Sequence, residues 1–422
     1  MSTIDTTPLL DLFPPGTERD AAGRLAVGGC ELEELAARFG TPFYLVDEAA
    51  LRAQARRFRS ALEGRWPNAQ VVFASKAFPC VAVVGALASE GLGVDVAGGG
   101  ELAVALAAGV APADIVMHGN AKTEVELRMA VDAGVGTIVV DNHDDIDRLE
   151  VIVTGSQHVL VRVLPGVAPD THAAISTGAA GSKFGLPLPE ARRAIARLRA
   201  SGRLVLDGVH VHIGSQILRT EPFAEAVARL GELGEFDVYD LGGGLGVSYT
   251  GEEAPPTPEE WIGALLDAAE RNLPVGARIL IEPGRSLVAR AGVTVYRVVT
   301  VKRGAPTFVA VDGGMGDNLE VALYGQRFAA ALAARGAAGE PVELVGRHCE
   351  SGDRLIAGVP LPDPVPGDLV AVPVTGAYCF TMANNYNGAL RPPVVFCRDG
   401  EARVVVRRET YADLLARNVS TG

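Results

Sequence analysis

Short apolar runs alternate with helical patterns between residues 71 and 284, and this alternation constrains the fold more than any other feature of the sequence. Apolar runs of this length that contain β-branched residues are typical of buried parallel strands. The eight runs are VVFAS (71–75), GVDVA (93–97), DIVMHG (114–119), GTIVVD (136–141), HVLVRVL (158–164), GVHVHIGS (208–215), FDVYDLGGG (236–244) and RILIEPG (278–284). Eight βα units predict a (β/α)8 barrel of the TIM type, with an open doubly wound sheet as the alternative.

The pattern changes after Arg285. Segments such as VTVYRVVTVKR, PTFVAVDGG and DLVAVPVTGAY follow one another with turn residues and little helical pattern. This order is typical of antiparallel strands. The sequence therefore predicts three parts: an N-terminal segment at 1–35 that joins the β-domain, a barrel at 36–285, and a C-terminal antiparallel β-domain at 286–422.

The composition of the 422 residues argues against several classes of protein. A net charge of −13 argues against a nucleic-acid-binding surface, which needs a basic stripe. No uninterrupted run of about 18 apolar residues is present, and the first residues lack the pattern of a signal peptide, so we expect no membrane span. The five cysteines are odd in number and lack metal-site spacing, so we expect no metal site and a reduced, cytoplasmic protein.

The residues that can do chemistry follow the apolar runs. Lys76, Asp95, His118, His212 and Glu282 all lie at or just past the end of a run. In a (β/α)8 barrel the carboxyl ends of the strands form one face, and the active site lies at that face. The sequence therefore predicts that these side chains meet in one active site.

Two loops at this face predict an anion site. GGGLG (242–246) follows the seventh run and EPGR (282–285) follows the eighth. The loops after strands seven and eight bind phosphate in many barrels, because glycines let backbone N–H groups approach the oxygens. Arg285 could add positive charge. By itself GGGLG is weak evidence, since an ordinary tight turn has the same composition.

A lysine and a phosphate site on one barrel face suit pyridoxal 5'-phosphate. Lys76 would hold the aldehyde carbon of the cofactor as a Schiff base, and the glycines would hold its phosphate. Glu282 could face the pyridine nitrogen and keep it protonated. A solvated loop lysine at position 76 and a surface carboxylate at position 282 are the alternatives.

Eight stretches of the chain match one family of pyridoxal-phosphate enzymes. They are FASKAF (73–78), HGNAK (118–122), ISTGAAGSKFG (175–185), HVHIGSQI (210–217), DLGGGLGVSY (240–249), IEPGR (281–285), HCESGDRL (348–355) and GAYCFTMANNYNG (376–388). In this set and order the chain resembles the alanine-racemase-like, or fold type III, enzymes, and within them the diaminopimelate decarboxylases. The resemblance covers nearly the whole chain and implies a pyridoxal-phosphate-dependent amino-acid decarboxylase.

The resemblance assigns cofactor-binding roles to matching positions. Lys76 would carry the cofactor, and His212 would stack on its ring. Ser215 and the glycine turn would bind the phosphate, together with Tyr378. The full predicted set is Lys76, Asp95, His212, Ser215, Gly242, Gly243, Gly244, Glu282, Gly284, Arg285 and Tyr378.

The resemblance also implies a homodimer with shared active sites. Cys349 and Glu350, from CESGD, would come from the β-domain of a second subunit. Cys349 would protonate the carbanion that remains after carbon dioxide leaves, so Lys76, His212 and Cys349 are the predicted catalytic residues. An amino-acid racemase is the alternative on the same scaffold, although a cysteine at this position favours decarboxylation.

The predicted substrate-binding residues include one departure from the family. The lysine-forming decarboxylases usually carry an arginine at the position of Glu320, and that arginine helps to hold the distal carboxylate of diaminopimelate. Two carboxylates about 4 Å apart instead repel each other by roughly 1 kcal/mol in water. The predicted set is Arg285, Glu320, Tyr324, Glu350 and Tyr378.

Three substrates are compatible with this departure. The sequence favours an altered substrate without a free distal carboxylate, for example an acidic amino acid tethered to a carrier protein. Lysine or ornithine is an alternative, because Glu320 could pair with the distal ammonium. Ordinary meso-diaminopimelate decarboxylation is the other, with Glu320 turned to solvent or bonded to the distal amine.

Overall fold

The computed structural model describes residues 7–167, 177, 178, 181–336 and 339–419. Residues 175, 176, 179 and 180 of the matching stretch at 175–185 lie outside the described residues, as do the two ends of the chain. The chain divides into two compact units. The barrel unit comprises Arg52–Val247 and Ala254–Leu287, and the β-domain unit comprises Met1–Leu51, Ser248–Glu253 and Val288–Gly422.

The barrel unit contains a closed ring of eight parallel strands. Its strands are β5 (Ala69–Ala74), β6 (Gly93–Val96), β7 (Ile115–Met117), β8 (Thr137–Val140), β9 (Gln157–Leu164), β11 (Leu204–Val211), β12 (Val238–Asp240) and β13 (Arg278–Ile281). They pair in this order, and β13 pairs with β5 to close the ring. The short strand β10 (Leu186–Pro187) adds to β9 outside the ring. The predicted barrel is therefore confirmed, and the open sheet is excluded by the closing pair.

Branched side chains fill the ring because alternate residues of each strand point to the same side. Val72, Val116, Val139, Leu160 and Leu280, from five different strands, form one buried cluster. The same alternation places charged groups at the strand ends, next to this apolar layer.

Some barrel helices begin and end at local capping signals. Thr123 and Glu126 form a capping box at the start of one helix, and Gly134 ends it with a φ of 74°. The helices of this part of the chain are α3 (Glu48–Glu63), α4 (Val81–Ser89), α5 (Gly99–Ala107), α6 (Glu124–Ala133), α7 (His143–Ile152), α8 (Leu188–Arg199), α9 (Glu221–Gly231), α10 (Pro258–Asn272) and α11 (Arg285–Val288). Among the described residues, no helix has both the length and the apolar character needed to span a bilayer.

The β-domain unit is built around a nine-stranded sheet with both antiparallel and parallel strand pairs. Its strands are β4 (Phe43–Asp47), β14 (Gly292–Lys302), β15 (Phe308–Val311), β16 (Ala331–Leu332), β17 (Glu340–Val345), β18 (Arg354–Leu361), β19 (Leu369–Pro373), β20 (Val394–Arg398) and β21 (Glu401–Val406). Most neighbours are antiparallel, as predicted, but β4 with β20 and β15 with β17 are parallel pairs. The short helices of this unit are α1 (Thr7–Leu10), α2 (Leu32–Phe39), α12 (Leu319–Tyr324), α13 (Cys379–Met382) and α14 (Tyr411–Leu415).

The N-terminal part of the chain differs from its predicted boundary. The barrel was expected to begin at residue 36, but β4 pairs with β14 and β20 in the β-domain unit. All five residues of β4 are buried, so the strand needs a partner on each side. The preceding strands β1 (Glu18–Arg19), β2 (Leu25–Val27) and β3 (Cys30–Glu31) form a separate three-stranded sheet. That sheet shares one core with β4, β14, β19 and β20.

Candidate active site

Ionisable side chains surround the carboxyl ends of the barrel strands. Lys76 lies in a single 3₁₀ turn, Ser75–Ala77, directly after β5. The residues before it, Val71 to Ser75, are buried, whereas Lys76 itself is half-buried. Asp95 lies on β6, and His118 follows β7; both are buried. The structure thus brings together the groups that the strand-end pattern predicted.

Glu282, directly after β13, is the centre of this group. His118 Nε2 lies 2.6 Å from its Oε1, and His210 Nε2 donates a hydrogen bond of 3.1 Å to its Oε2. Asp95 Oδ1 lies 3.8 Å from His118 Nε2. The two imidazole rings meet edge to face, with centroids 4.7 Å apart. Both oxygens of the Glu282 carboxylate are therefore fixed by histidines.

Burial and mutual contact set the charges of this group. Although burial raises it, His118 and His210 hold the pKa of Glu282 well below its ordinary value. Burial opposes protonation of His118, yet the carboxylates of Glu282 and Asp95 raise its pKa overall. Burial lowers the pKa of His210 to about 3. These pKa shifts favour an imidazolium at His118, a carboxylate at Glu282 and a neutral His210.

Strand β11 supplies two histidines with different roles. His210 points to Glu282, and His212, two residues later, follows the end of the strand. The backbone N–H of Gly243 donates a 3.3 Å hydrogen bond to His212 Nδ1. Burial, with the nearby Lys76 ammonium, lowers the pKa of His212 well below its ordinary value. His212 is thus a neutral ring whose orientation is fixed by the glycine turn.

The glycine turn packs too closely for side chains. Gly242 and Gly244 have φ angles of 66° and 121°, which favour glycine. A Cβ on Gly243 would clash with the carbonyl oxygen of Glu282. Beside this turn, Arg285 Nε donates to Ser215 Oγ at 3.3 Å. Gly284 packs against Ala74, so the loop after β13 lies directly against the lysine-bearing end of β5.

The other predicted residues lie in the β-domain unit. Cys349 is exposed, and its backbone N–H donates a 2.8 Å hydrogen bond to Asn387 Oδ1. Glu350 is exposed and accepts a 2.7 Å hydrogen bond from Tyr386 Oη. Tyr378 has a φ of 64°, an uncommon conformation for a bulky residue, and such strain is concentrated at functional sites.

Two side chains tie the Cys349 loop to the segment that leads into α12. Asp353 accepts hydrogen bonds from the backbone N–H groups of Met315 at 2.6 Å and His348 at 2.7 Å. His348 Nε2 accepts a 3.1 Å hydrogen bond from the N–H of Gly316. The loop that carries the predicted acid and the helix that carries Glu320 are therefore fixed relative to each other.

Glu320 lies on α12 and is only 1% exposed. Tyr249 Oη lies 3.5 Å from its Oε2, and the Tyr249 ring packs edge to face on Phe328 at 4.8 Å. Tyr324, at the end of the same helix, is half-buried. The hypothesis that Glu320 turns to solvent is therefore wrong, because the carboxylate is enclosed beside a tyrosine hydroxyl.

Sequence reasoning missed three buried members of the barrel site. His210, Arg162 and Asp240 were read as parts of apolar strands, although each is a charged or polar residue in an otherwise apolar run. Arg162 lies 3.7 Å from Asp141 and stacks its guanidinium over the Phe184 ring at 4.5 Å. The signal that could have found them is strand parity: a polar residue on the inward side of a barrel strand must meet another polar group.

The barrel residues fit pyridoxal phosphate. The group needs an amine for its aldehyde, a backbone cradle for its phosphate and a carboxylate for its ring nitrogen. Lys76, the closely packed turn at Gly242–Gly244 and the ionised Glu282 supply these three parts on adjacent strand ends.

Comparisons with known proteins agree with this site. Residues 48–289 match the family model described as pyridoxal-dependent decarboxylase, pyridoxal binding domain. A diaminopimelate decarboxylase of Actinosynnema pretiosum subsp. auranticum is 48% identical, over 97% of this chain and 95% of that protein. One of Bacillus subtilis is 43% identical, over 96% and 97%.

A solved structure agrees as well. The diaminopimelate decarboxylase of M. jannaschii, in complex with L-lysine, has a TM-score of 0.90 and 31% identity and covers 96% of this chain and 98% of its own. Family, identity and fold thus give one result. The chain belongs to the pyridoxal-dependent decarboxylases of fold type III, which are carboxy-lyases that use pyridoxal phosphate.

Proposed function

We propose that the chain decarboxylates meso-diaminopimelate to L-lysine. The observation that carries the proposal is identity of 48% over nearly the full length with a protein of that name. Relatives of the same name at 40–43% identity support it. The altered-substrate hypothesis rested on Glu320 alone, and the comparisons favour the ordinary reaction over it.

Bound pyridoxal phosphate supplies the electron sink that accepts the electrons of the broken Cα–carboxylate bond. Lys76 holds the cofactor through its amine. Glu282, kept ionised by its histidines, holds the ring nitrogen in its protonated state. His212, a neutral ring oriented by Gly243, would stack on the cofactor ring, and Ser215, Arg285 and Tyr378 would help to bind its phosphate.

Cys349 delivers the proton that replaces carbon dioxide. Its thiol is on an exposed loop that Asp353 and His348 hold in place. An exposed thiol next to Glu350 suits a site completed by a second subunit, so we propose a homodimer with shared active sites. The cytoplasmic location stays a prediction from the number and spacing of the cysteines.

Glu320 binds the distal ammonium of the substrate in this proposal. Because Glu320 is enclosed, its carboxylate would attract a substrate ammonium more strongly than a solvated carboxylate would. The distal carbon of diaminopimelate carries both an ammonium and a carboxylate, so a carboxylate at position 320 can serve one and Arg285, Tyr324 or Tyr378 the other. The departure from the family then changes how the distal end is held and leaves the substrate the same.

The test is decarboxylation of meso-diaminopimelate by the cofactor-loaded protein. We expect equimolar carbon dioxide and L-lysine, and loss of both in Lys76→Ala, which also loses the yellow absorbance of the bound cofactor. L-lysine, L-ornithine and a carrier-tethered acidic amino acid are offered in parallel. Faster turnover of any of these than of diaminopimelate, by protein with intact cofactor absorbance, would contradict the proposal.

A further inference from the structure

Asp240 is a fully buried carboxyl group beside Glu282 that no predicted role uses. It ends β12 and is 0% exposed. Its Oδ1 accepts a 3.0 Å hydrogen bond from the backbone N–H of Gly242. Its Oδ2 is buried without a directional hydrogen-bond partner among the residues that the structure describes. One carboxylate oxygen or imidazole nitrogen from each of Asp240, Glu282, His118 and His210 lies within 4.8 Å of the others.

Two adjacent carboxylates cannot both remain ionised at low cost in such a place. Like charges disfavour ionisation, and an unpaired buried charge costs several kcal/mol. The cations facing the group do not remove the problem, since His118 is engaged with Glu282 and Asp95, and Arg162 with Asp141. Lys76 is a third cation near the group, and its amine is committed to the cofactor in the proposed function. A proton shared by the two carboxyl groups removes one of the two negative charges and with it the repulsion.

We infer that Asp240 is a neutral carboxylic acid whose Oδ2–H donates a hydrogen bond to Glu282, and that Asp240 is therefore a positioning residue for Glu282. The glycine turn fixes one oxygen of Asp240 as an acceptor, so the other oxygen carries the proton. Burial and the neighbouring carboxylate of Glu282 raise the pKa of Asp240 well above its ordinary value, in agreement with this geometry.

The consequence is a Glu282 carboxylate held from three sides. His118 contacts one oxygen, His210 the other, and Asp240 donates a third interaction while adding no charge. Glu282 keeps a single negative charge in a fixed orientation, which the role proposed for it toward the ring nitrogen requires. At metal sites, loss of a supporting partner of this kind lowers affinity or activity by about 10–100-fold.

A matched pair of substitutions in the cofactor-loaded protein tests the inference. Asp240→Asn keeps the shape and the donor of a neutral acid, so the dissociation constant of pyridoxal phosphate should change by no more than about twofold. Asp240→Leu keeps the approximate volume without a donor, and the cofactor should bind about 10–100-fold more weakly. Equal weakening of cofactor binding in both variants would contradict the inference, because Asp240 would then act through its charge. An unchanged dissociation constant in both variants would also contradict it, because Asp240 would then not position Glu282.

An infrared measurement that starts from the wild-type holoenzyme is a second test. With ¹³C-labelled aspartate, one protonated-carboxyl band should persist at pH 8.5 and disappear in Asp240→Asn. The pKa values of Asp95, about 6, and Asp317, about 7, leave both mostly ionised at that pH. Absence of the band would overturn the inference. So would one equivalent of a bound divalent metal by elemental analysis, because the metal would then balance the Asp240 charge.

Discussion

The charge of Glu320 alone favoured an altered substrate, which the comparisons with known proteins do not support. From its charge alone, a carboxylate in place of an arginine indicated a different substrate. Its environment gives a narrower answer, since the side chain is enclosed on α12 with the Tyr249 hydroxyl 3.5 Å away. In the proposed function, this single replacement changes the partner of the distal group, and the rest of the site is retained.

Substitution of Glu320 by glutamine should therefore raise the KM for meso-diaminopimelate about tenfold or more, with kcat little changed. A charge-assisted hydrogen bond contributes roughly 1.5–3 kcal/mol, and losing it weakens ground state and transition state alike. Steady-state kinetics checks this result. Tyr249→Phe is the control, because it keeps the contact with Phe328 and should have a smaller effect. An unaltered KM in Glu320→Gln would mean that Glu320 is purely structural.

At the scale of elements, short loops carry the strained and charged parts of the site. The loop that leads into α12 contains Asp317, which is buried and accepts a 2.9 Å hydrogen bond from the N–H of Gly314. Its backbone carbonyl accepts a 2.7 Å hydrogen bond from Tyr44 Oη. The loop is thus anchored to β4, a strand that the sequence assigned to the barrel.

The loop should make stability depend on pH. Burial raises the pKa of Asp317 from 3.8 to about 7, so the folded protein binds this proton more tightly than the unfolded chain. Protonated Asp317 contributes at most about 4 kcal/mol to the free energy of unfolding. This contribution is present below about pH 4 and is lost as the pH rises through 7. Between pH 5 and pH 8, the melting temperature of Asp317→Asn should fall less than that of the wild type. The exposed Asp399→Asn should behave as wild type, and equal losses in all three proteins would refute the prediction.

At the scale of the whole molecule, the predicted active-site residues divide between the two units. Lys76, His212 and Glu282 belong to the barrel unit, and Cys349, Glu350 and Tyr378 to the β-domain unit. We proposed that Cys349 and Glu350 of the second set serve a neighbouring subunit. That arrangement makes activity a property of the dimer.

Mixing two inactive variants tests this arrangement. Lys76→Ala and Cys349→Ala should each have little activity alone, and after subunit exchange the mixture should regain up to about a quarter of wild-type activity. Half of the dimers are then mixed, and each has one intact site of two. Lysine formation measures the recovery. No recovery, with exchange verified by tagged subunits, would place both residues in the site of one chain.

The sequence by itself determined the order and kind of the elements. Local periodicity and capping decide strands and helices, so the eight barrel strands and the Lys76, glycine-turn and Glu282 positions followed from short stretches. Domain boundaries that depend on strand pairing did not follow from short stretches. The barrel was expected to begin at residue 36, because nothing local tells that β4 pairs with β14 and β20.

Only the tertiary structure decided which buried polar groups meet. Asp240, His210 and Arg162 lie on different strands, and each reads as an isolated polar residue in an apolar run. Closing the ring brings side-chain atoms of Asp240, His118, His210 and Glu282 within 4.8 Å of one another, and in so buried a site each must share charge or protons with its neighbours. Protonation is a property of such a group as a whole, which is why no single stretch of sequence could predict it.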